Sequence, residues 1–204
     1  MYELINRNAR KIVQNLARET NVVSEYEWLL EHTSPQHIGS EDYQKRYKSY
    51  WEVNLIRPSK SWVDAYFATL HGAVQNGAAL QSVVEQIFAT PVHSNGKKSV
   101  QFSFASKLLH MTQPSLPIYD SFVAEFYFFS PPSVSDPQKK IFVYLEFHNF
   151  LVEETARIRK DDLVKPAIAE FRSHFIPKCC SDQKIIDSLI WSFVDLLHKR
   201  EIQY

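Results

Sequence analysis

The chain of 204 residues carries 23 basic and 23 acidic side chains, so its formal net charge is zero. Zero net charge argues against a long, unselective electrostatic grip on nucleic acid and leaves only a local basic patch. Hydrophobic residues make up 45% and aromatic residues 14% of the chain, enough for one large domain or two small lobes without metals or disulfides. No apolar run is long enough to cross a bilayer, and the charged first residues do not resemble a signal peptide, so we expect a cytoplasmic protein without a membrane partner.

Helical periodicity runs through the first half of the chain and predicts an all-α fold. The sequence predicts capping boxes at Ser61–Asp64 and Ser82–Glu85. The Arg57–Pro58 and Asn76–Gly77 pairs are predicted to end the helices before them. The helices predicted up to residue 89 span 2–18, 22–31, 41–56, 61–75 and 82–89.

The stretch Ser99–Val123 has the most informative pattern: an amphipathic helix, a proline-bracketed turn and one acid at the start of the next helix. Pro114 and Pro117 cannot lie inside a helix, so the preceding helix should end near Met111. Asp120 is therefore predicted at an N-cap, where unpaired backbone amides and the helix dipole favour its ionised form. A capping role alone and a chemical role both stay open at this point.

More helices are predicted after Asp120, which gives eight to ten in total. They span 120–129, Asp136 to Arg157, Pro166 to Pro177 and 182–200, with a Ser-Pro-rich loop at 130–135. The last helix should bury one apolar face, formed by Ile185, Ile186, Leu189, Ile190, Phe193, Val194 and Leu197.

Residues 43–51, Tyr-Gln-Lys-Arg-Tyr-Lys-Ser-Tyr-Trp, interleave basic and aromatic side chains, as grooves for single-stranded nucleic acid do. On a helix, however, Tyr43, Tyr47, Tyr50 and Trp51 share one face, which is the spacing of a buried stripe. The buried stripe is the favoured interpretation, and a base pocket at Tyr47 and Trp51 is the alternative.

Metal and thiol chemistry find little support in the sequence. The eight histidines include no helical pair around a glutamate, so we predict no metal site and no cofactor. Cys179 and Cys180 are adjacent, so we expect reduced thiols instead of a disulfide. His110 is expected to be a packed residue and not a catalyst.

The segment between Ser103 and Val123 resembles the helix-hairpin-helix family of DNA glycosylases. In its adenine-specific members a serine-headed helix is followed by Pro-Ile-Leu-Asp, and the serine-to-aspartate spacing matches here to within one residue. The matching residues are Ser103, Phe104, Ala105, Leu108 and Leu109, then Pro117, Ile118, Tyr119, Asp120 and Val123. The resemblance covers about residues 90 to 130. It implies one domain, 1–204, in two helical lobes, with a hairpin-like element at 90–104 and the catalytic Asp120 within 114–129.

The chain departs from this family at the hairpin, where Leu-Pro-Gly-x-Gly is missing. Val-His-Ser-Asn-Gly-Lys-Lys stands in its place, so Asn95 and Gly96 could form a tight turn followed by the charges of Lys97 and Lys98. An altered DNA-binding hairpin and an ordinary surface loop are both compatible with this pattern.

A second departure concerns Ser103, which stands where strand-cleaving members carry a lysine. A hydroxyl cannot form a Schiff base, so the resemblance implies a monofunctional enzyme with water as the nucleophile. Lys107 lies four residues further on, where a solvent-facing lysine is the favoured interpretation and lyase activity the alternative. Ser103 and Lys107 join the hairpin as expected DNA-binding residues, and Tyr119 joins the expected base pocket.

The resemblance thus implies a DNA N-glycosylase that flips a modified or mispaired base out of double-stranded DNA and hydrolyses its bond to the sugar. A subsidiary expectation is antiviral defence, with phage DNA carrying unusual bases as the substrate. The alternatives are a non-catalytic, glycosylase-like DNA-binding module and a helical protein-interaction domain.

Overall fold

The computed structural model describes residues 1–18 and 21–203. Within these ranges the protein is all-helical, with eleven α-helices, one 3₁₀ helix and no strand. The all-α prediction is confirmed, whereas the predicted number of helices was too low. The helices in chain order are α1 (Tyr2–Arg7), α2 (Ala9–Leu16), α3 (Val22–Glu31), α4 (Glu41–Tyr50), the 3₁₀ helix (Val53–Ile56), α5 (Lys60–Asn76), α6 (Leu80–Ala89), α7 (Phe102–Thr112), α8 (Ser121–Phe126), α9 (Pro137–Lys160), α10 (Lys165–Phe175) and α11 (Asp182–His198).

The backbone divides into two compact units, each built from separate stretches of chain. The terminal unit contains the described part of 1–27, Pro114–Pro131 and the chain from Phe147 onward, and the central unit contains Trp28–Gln113 and Pro132–Glu146. None of the helices in the described ranges is both long and apolar enough to span a membrane.

Helix α11 forms the core of the terminal unit, where it packs against α2, α8 and α10. Its predicted apolar face is buried from Ile185 to Val194, with Leu189 and Phe193 at 0% exposure. At the end of the helix Leu196 is buried and Leu197 only partly so, which is a small correction to the predicted face.

The central unit packs α5, α6 and α7 around aromatic side chains. A chain of hydrogen bonds crosses this core: the Tyr47 hydroxyl lies 2.8 Å from that of Tyr66, which donates to the Phe104 carbonyl at 2.9 Å. Burying a tyrosine hydroxyl is costly unless it is hydrogen-bonded, and this chain satisfies both groups.

Several predicted helix boundaries were wrong, and at one of them a contact distant in sequence accompanies the break. The predicted 2–18 helix breaks at Asn8, whose side chain bonds the backbone of Gln203 at 2.9 and 3.0 Å. The predicted 41–56 helix ends at Tyr50 and is followed by the separate 3₁₀ helix, and the predicted 120–129 helix ends at Phe126.

Neither predicted capping box starts a helix. Helix α6 begins at Leu80 without a side-chain cap, which places Ser82 inside it. Helix α5 is capped by Ser59 instead of Ser61, since Ser59 Oγ accepts from the Trp62 amide at 3.2 Å. The Ser59 amide also bonds the Val92 carbonyl at 2.6 Å, and this contact holds the residue in the extended conformation that a cap requires.

Replacing Ser59 with alanine is therefore expected to lower the free energy of unfolding by about 1 kcal/mol, the usual loss for an N-cap serine. The exposed Ser61 is the matched control: its hydroxyl lies 3.1 Å from Ser59 Oγ, and its replacement with alanine leaves the bond to the Trp62 amide in place and should have a smaller effect. Urea unfolding of both variants measures the difference. A larger loss at Ser61 would contradict the assignment of Ser59 as the cap.

Candidate active site

Asp120 occupies the predicted N-cap position of α8. Its backbone is extended (φ −144°, ψ 179°), and its Oδ1 accepts from the Val123 amide at 2.8 Å. The side chain is half-buried, and Oδ2 makes no hydrogen bond with the described part of the chain. One carboxylate oxygen thus caps the helix, and the other is available to a ligand or to water.

The residues that lead into Asp120, Pro114–Tyr119, form a segment that we call the strap. Side chains of α9, of α11 and of Ser181, the residue that caps α11, bind its backbone from distant parts of the sequence. Ser181 Oγ donates to the Pro114 carbonyl at 2.8 Å, and His148 Nε2 donates to the Pro117 carbonyl at 3.1 Å. Asp187 Oδ2 accepts from the Ile118 amide at 3.4 Å. The backbone that precedes Asp120 is therefore held by hydrogen bonds at several points.

Lys184 and Asp187 are the buried charged residues nearest to this strap. Among Lys, Arg, Asp and Glu in the described ranges, only these two are buried, at 9% and 6% exposure. Lys184 Nζ lies 5.2 Å from the centre of the Tyr26 ring, and Asp187 Oδ1 accepts from Gln183 Nε2 at 3.1 Å. Such burial is expensive unless the groups balance one another's charge.

Electrostatic interactions couple these two side chains to Asp120. Burial raises the pKa of Asp187 to about 8; Lys184 opposes the rise and the negative charge of Asp120 adds to it. Burial lowers the pKa of Lys184, and the charges of Asp187, Cys180 and Asp120 oppose that decrease. At neutral pH Asp187 is therefore mainly protonated, and the negative charge of Asp120 favours the protonated form of Lys184.

Two more polar groups complete this region. Burial lowers the pKa of His148, which leaves the ring neutral and able to donate from Nε2. Gln183 is buried, and its Oε1 has no hydrogen-bond partner in the described part of the chain. A buried acceptor of this kind is uncommon in folded proteins and is concentrated where ligands or strain are accommodated.

Tyr119 packs within an aromatic cluster of the terminal unit. Its ring lies edge-on to Phe129 and Phe147, at centroid distances of 6.2 and 5.9 Å, and only 6% of the residue is exposed. The predicted base-pocket role of Tyr119 gains no support from this position.

The aromatic stripe of α4 is buried, as favoured from the sequence. Tyr43 and Tyr47 have 0% exposure, Trp51 has 4%, and Tyr50 is half-buried. A flipped base could stack on Tyr47 or Trp51 only if this core opened, so the base-pocket alternative also gains no support. His110 is packed as expected, with 0% exposure and its ring edge-on to Trp51.

Residues 90–101 connect α6 to α7 and contain the expected tight turn. Gly96 has φ +76°, a left-handed conformation that glycine adopts without strain, and Asn95 Oδ1 accepts from the Lys97 amide at 3.0 Å. Lys97 and Lys98 are exposed, with Lys98 Nζ 5.9 Å from the centre of the Phe88 ring. The turn is confirmed, whereas contact with DNA stays a prediction.

The side chain of Lys107 is less exposed than the sequence led us to favour. It is half-buried, with Nζ 5.5 Å from the centre of the Phe104 ring and 5.7 Å from that of Trp51. Ser103 is half-buried on the same helix.

The sequence reasoning identified Asp120 but missed its polar neighbours on α9 and α11. Asp120 and Tyr119 belong to the terminal unit, and the other predicted site residues belong to the central unit. The sequence carried no signal for Lys184 and Asp187, because at helical spacing both fall outside the predicted apolar face of α11 and were expected in solvent. In the described ranges, no three His, Cys, Asp or Glu side chains are grouped to hold a metal ion.

The fold and the site together define an all-helical protein with a helix-capping aspartate next to a buried lysine–aspartate pair. Neither protein-family models nor curated proteins match this chain, and no solved structure matches it either.

Proposed function

We propose that the protein is a monofunctional DNA N-glycosylase of the helix-hairpin-helix type, with Asp120 as its catalytic carboxylate. The observation that carries this proposal is the geometry of Asp120: Oδ1 accepts from the Val123 amide, and Oδ2 has no hydrogen-bond partner among the residues that the structure describes. The buried pair of Lys184 and Asp187 supports it, because ionisable groups with shifted pKa values are concentrated at functional sites.

The chemistry follows that of glycoside hydrolysis. As the bond between the sugar C1′ and the base breaks, its electron pair leaves with the base, and the sugar acquires oxocarbenium character. The Asp120 carboxylate stabilises this positive charge, and Oδ2 accepts a proton from the water that attacks C1′. The products are the free base, which gains a proton, and an abasic sugar.

Two further features fit this mechanism. Ser103 supplies no amine for a Schiff base, so the abasic strand should stay intact after base release. The exposed Lys97 and Lys98 next to the Gly96 turn offer a small basic patch for phosphates, which suits a chain with zero net charge.

The direct test is to incubate the protein with duplex oligonucleotides that contain single modified or mispaired bases. We expect abasic sites, detected as strand breaks that appear only after alkali treatment. Salt-sensitive binding without abasic product would support the non-catalytic DNA-binding module and contradict the proposal. Absence of both binding and product would support a protein-interaction domain.

Phage DNA carrying modified bases is the substrate that we propose within this function. Incubation with such DNA should produce abasic sites, and plain host DNA should produce few. Equal formation of abasic sites in both DNAs would favour a repair enzyme and contradict the defence role.

A further inference from the structure

His148 and Asp187 bind opposite sides of one peptide group. The Pro117 carbonyl and the Ile118 amide belong to the same planar unit. His148, on α9, donates to the carbonyl at 3.1 Å, and Asp187, on α11, accepts from the amide at 3.4 Å. The orientation of this peptide plane is therefore set by two helices that lie far from it in sequence.

The burial of these groups is difficult to explain by packing alone. His148 and Asp187 are exposed by only 5% and 6%, and the neighbouring Lys184 and Gln183 by 9% and 1%. Apolar side chains of similar size would fill this space without desolvating charged groups. The polar side chains are concentrated where the strap leads into Asp120.

We propose that His148 and Asp187 are positioning residues for Asp120, and that they act by clamping the Pro117–Ile118 peptide. This inference rests on the proposed glycosylase function. Rotation of that peptide would move the Asp120 backbone and shift Oδ2 relative to the sugar. A displacement of about 1 Å at a reacting group can lower a rate about 100-fold, so the clamp would matter for the chemical step more than for DNA binding.

Variants of His148 test the clamp through kinetics. Leucine removes the donor and keeps an apolar side chain, whereas glutamine keeps an Nε2 donor. We expect His148→Leu to lower kcat for base release about 10- to 100-fold with KM unchanged, and His148→Gln to restore most of the loss. A merely structural role would not produce this split between kcat and KM or this rescue.

Thr155 provides a matched control on the same helix. It is buried at 2% exposure, and its hydroxyl donates to the Leu151 carbonyl at 2.8 Å, within α9 and away from the strap. Thr155→Val removes a buried hydrogen bond without touching the clamp, so kcat should stay at the wild-type value. A loss of kcat equal to that of His148→Leu would show a general effect of destabilising α9 and overturn the positioning role.

A second measurement does not depend on activity. Hydrogen exchange of the Ile118 amide, followed by NMR in the full chain, should be slow in the wild type and faster in Asp187→Leu and His148→Leu, while core amides of α11 keep their protection. Unchanged exchange at Ile118 would overturn the clamp.

The two measurements separate the two proposals. An active wild type whose His148→Leu variant keeps full kcat overturns the positioning role and leaves the glycosylase function in place. An inactive wild type overturns the function, and the positioning role falls with it, whatever the exchange data show of the clamp.

Discussion

Replacing Asp120 with asparagine is expected to lower the rate of base release about 100- to 1000-fold, the usual loss for one well-placed electrostatic group. An amide carries no charge to stabilise the sugar cation and accepts no proton from water. Asparagine is as good an N-cap as aspartate, so its Oδ1 can still bond the Val123 amide. The fold, measured by circular dichroism and thermal unfolding, should therefore be retained, together with most of the DNA affinity.

Asp136 is the matched control for this substitution. It precedes α9, and its Oδ1 accepts from the Gln138 amide at 2.9 Å, so it is also an aspartate that caps a helix. Asp136→Asn should leave base release unchanged. Full activity in Asp120→Asn would contradict the assignment of Asp120 and leave it only the capping role.

Raising the pH from 6 to 8 is expected to destabilise the protein through Asp187. In an unfolded chain an aspartate has a pKa of about 3.9, whereas burial raises that of Asp187 to about 8 in the folded state. Between these values the folded state binds a proton that the unfolded state does not. The stabilisation of the folded state by this proton is at its full value below the pKa of the aspartate in the unfolded chain, and it is lost as the pH rises through about 8.

The size of this effect follows from proton linkage. Where only the folded state binds this proton, each unit of rising pH lowers the unfolding free energy by at most about 1.4 kcal/mol. Between pH 6 and pH 8 the decrease is about 2 kcal/mol. Asp187→Asn keeps a neutral side chain of the same shape and cannot titrate. Urea unfolding at several pH values should show that the wild type loses this stability relative to the variant, and parallel curves would contradict the shifted pKa.

Other titratable groups near Asp187 also affect the pH dependence of stability, so the experiment needs a control for them. The charges of Lys184 and Asp120 act on Asp187, and Asp187 in turn acts on Tyr127. Cys180 acts electrostatically on Lys184, whose Nζ lies 5.2 Å from the centre of the Tyr26 ring. Lys184 contributes the opposite slope in its own range, because the unfolded state binds its proton more tightly. Lys184→Met removes the positive charge that holds down the pKa of Asp187, so the loss of stability should extend to higher pH than in the wild type.

The prediction that Asp120 caps a helix is confirmed, and every signal behind it is local. Pro114 and Pro117 exclude helix by their own chemistry, and an aspartate directly after them is well suited to start the next one. The buried stripe of Tyr43, Tyr47 and Trp51 was also predictable, because the 3.6-residue period of a helix is visible in the sequence.

Two of the boundaries that failed involve partners distant in sequence. Ser59 and Ser61 look equally suited to cap α5, and the bond from the Ser59 amide to the Val92 carbonyl selects the first. The break at Asn8 depends on Gln203, at the other end of the chain. No local sequence pattern predicts these contacts.

The amino-acid order was enough to specify a helical protein, the buried face of its last helix and an aspartate at the start of α8, since periodicity and capping act over a few residues. The surroundings of that aspartate came from folding in three dimensions. His148, Ser181 and Asp187 reach the strap across 31, 67 and 69 residues, respectively. Burial shifts the pKa of Asp187 and Lys184, and burial exists only once α11 packs against the rest of its unit.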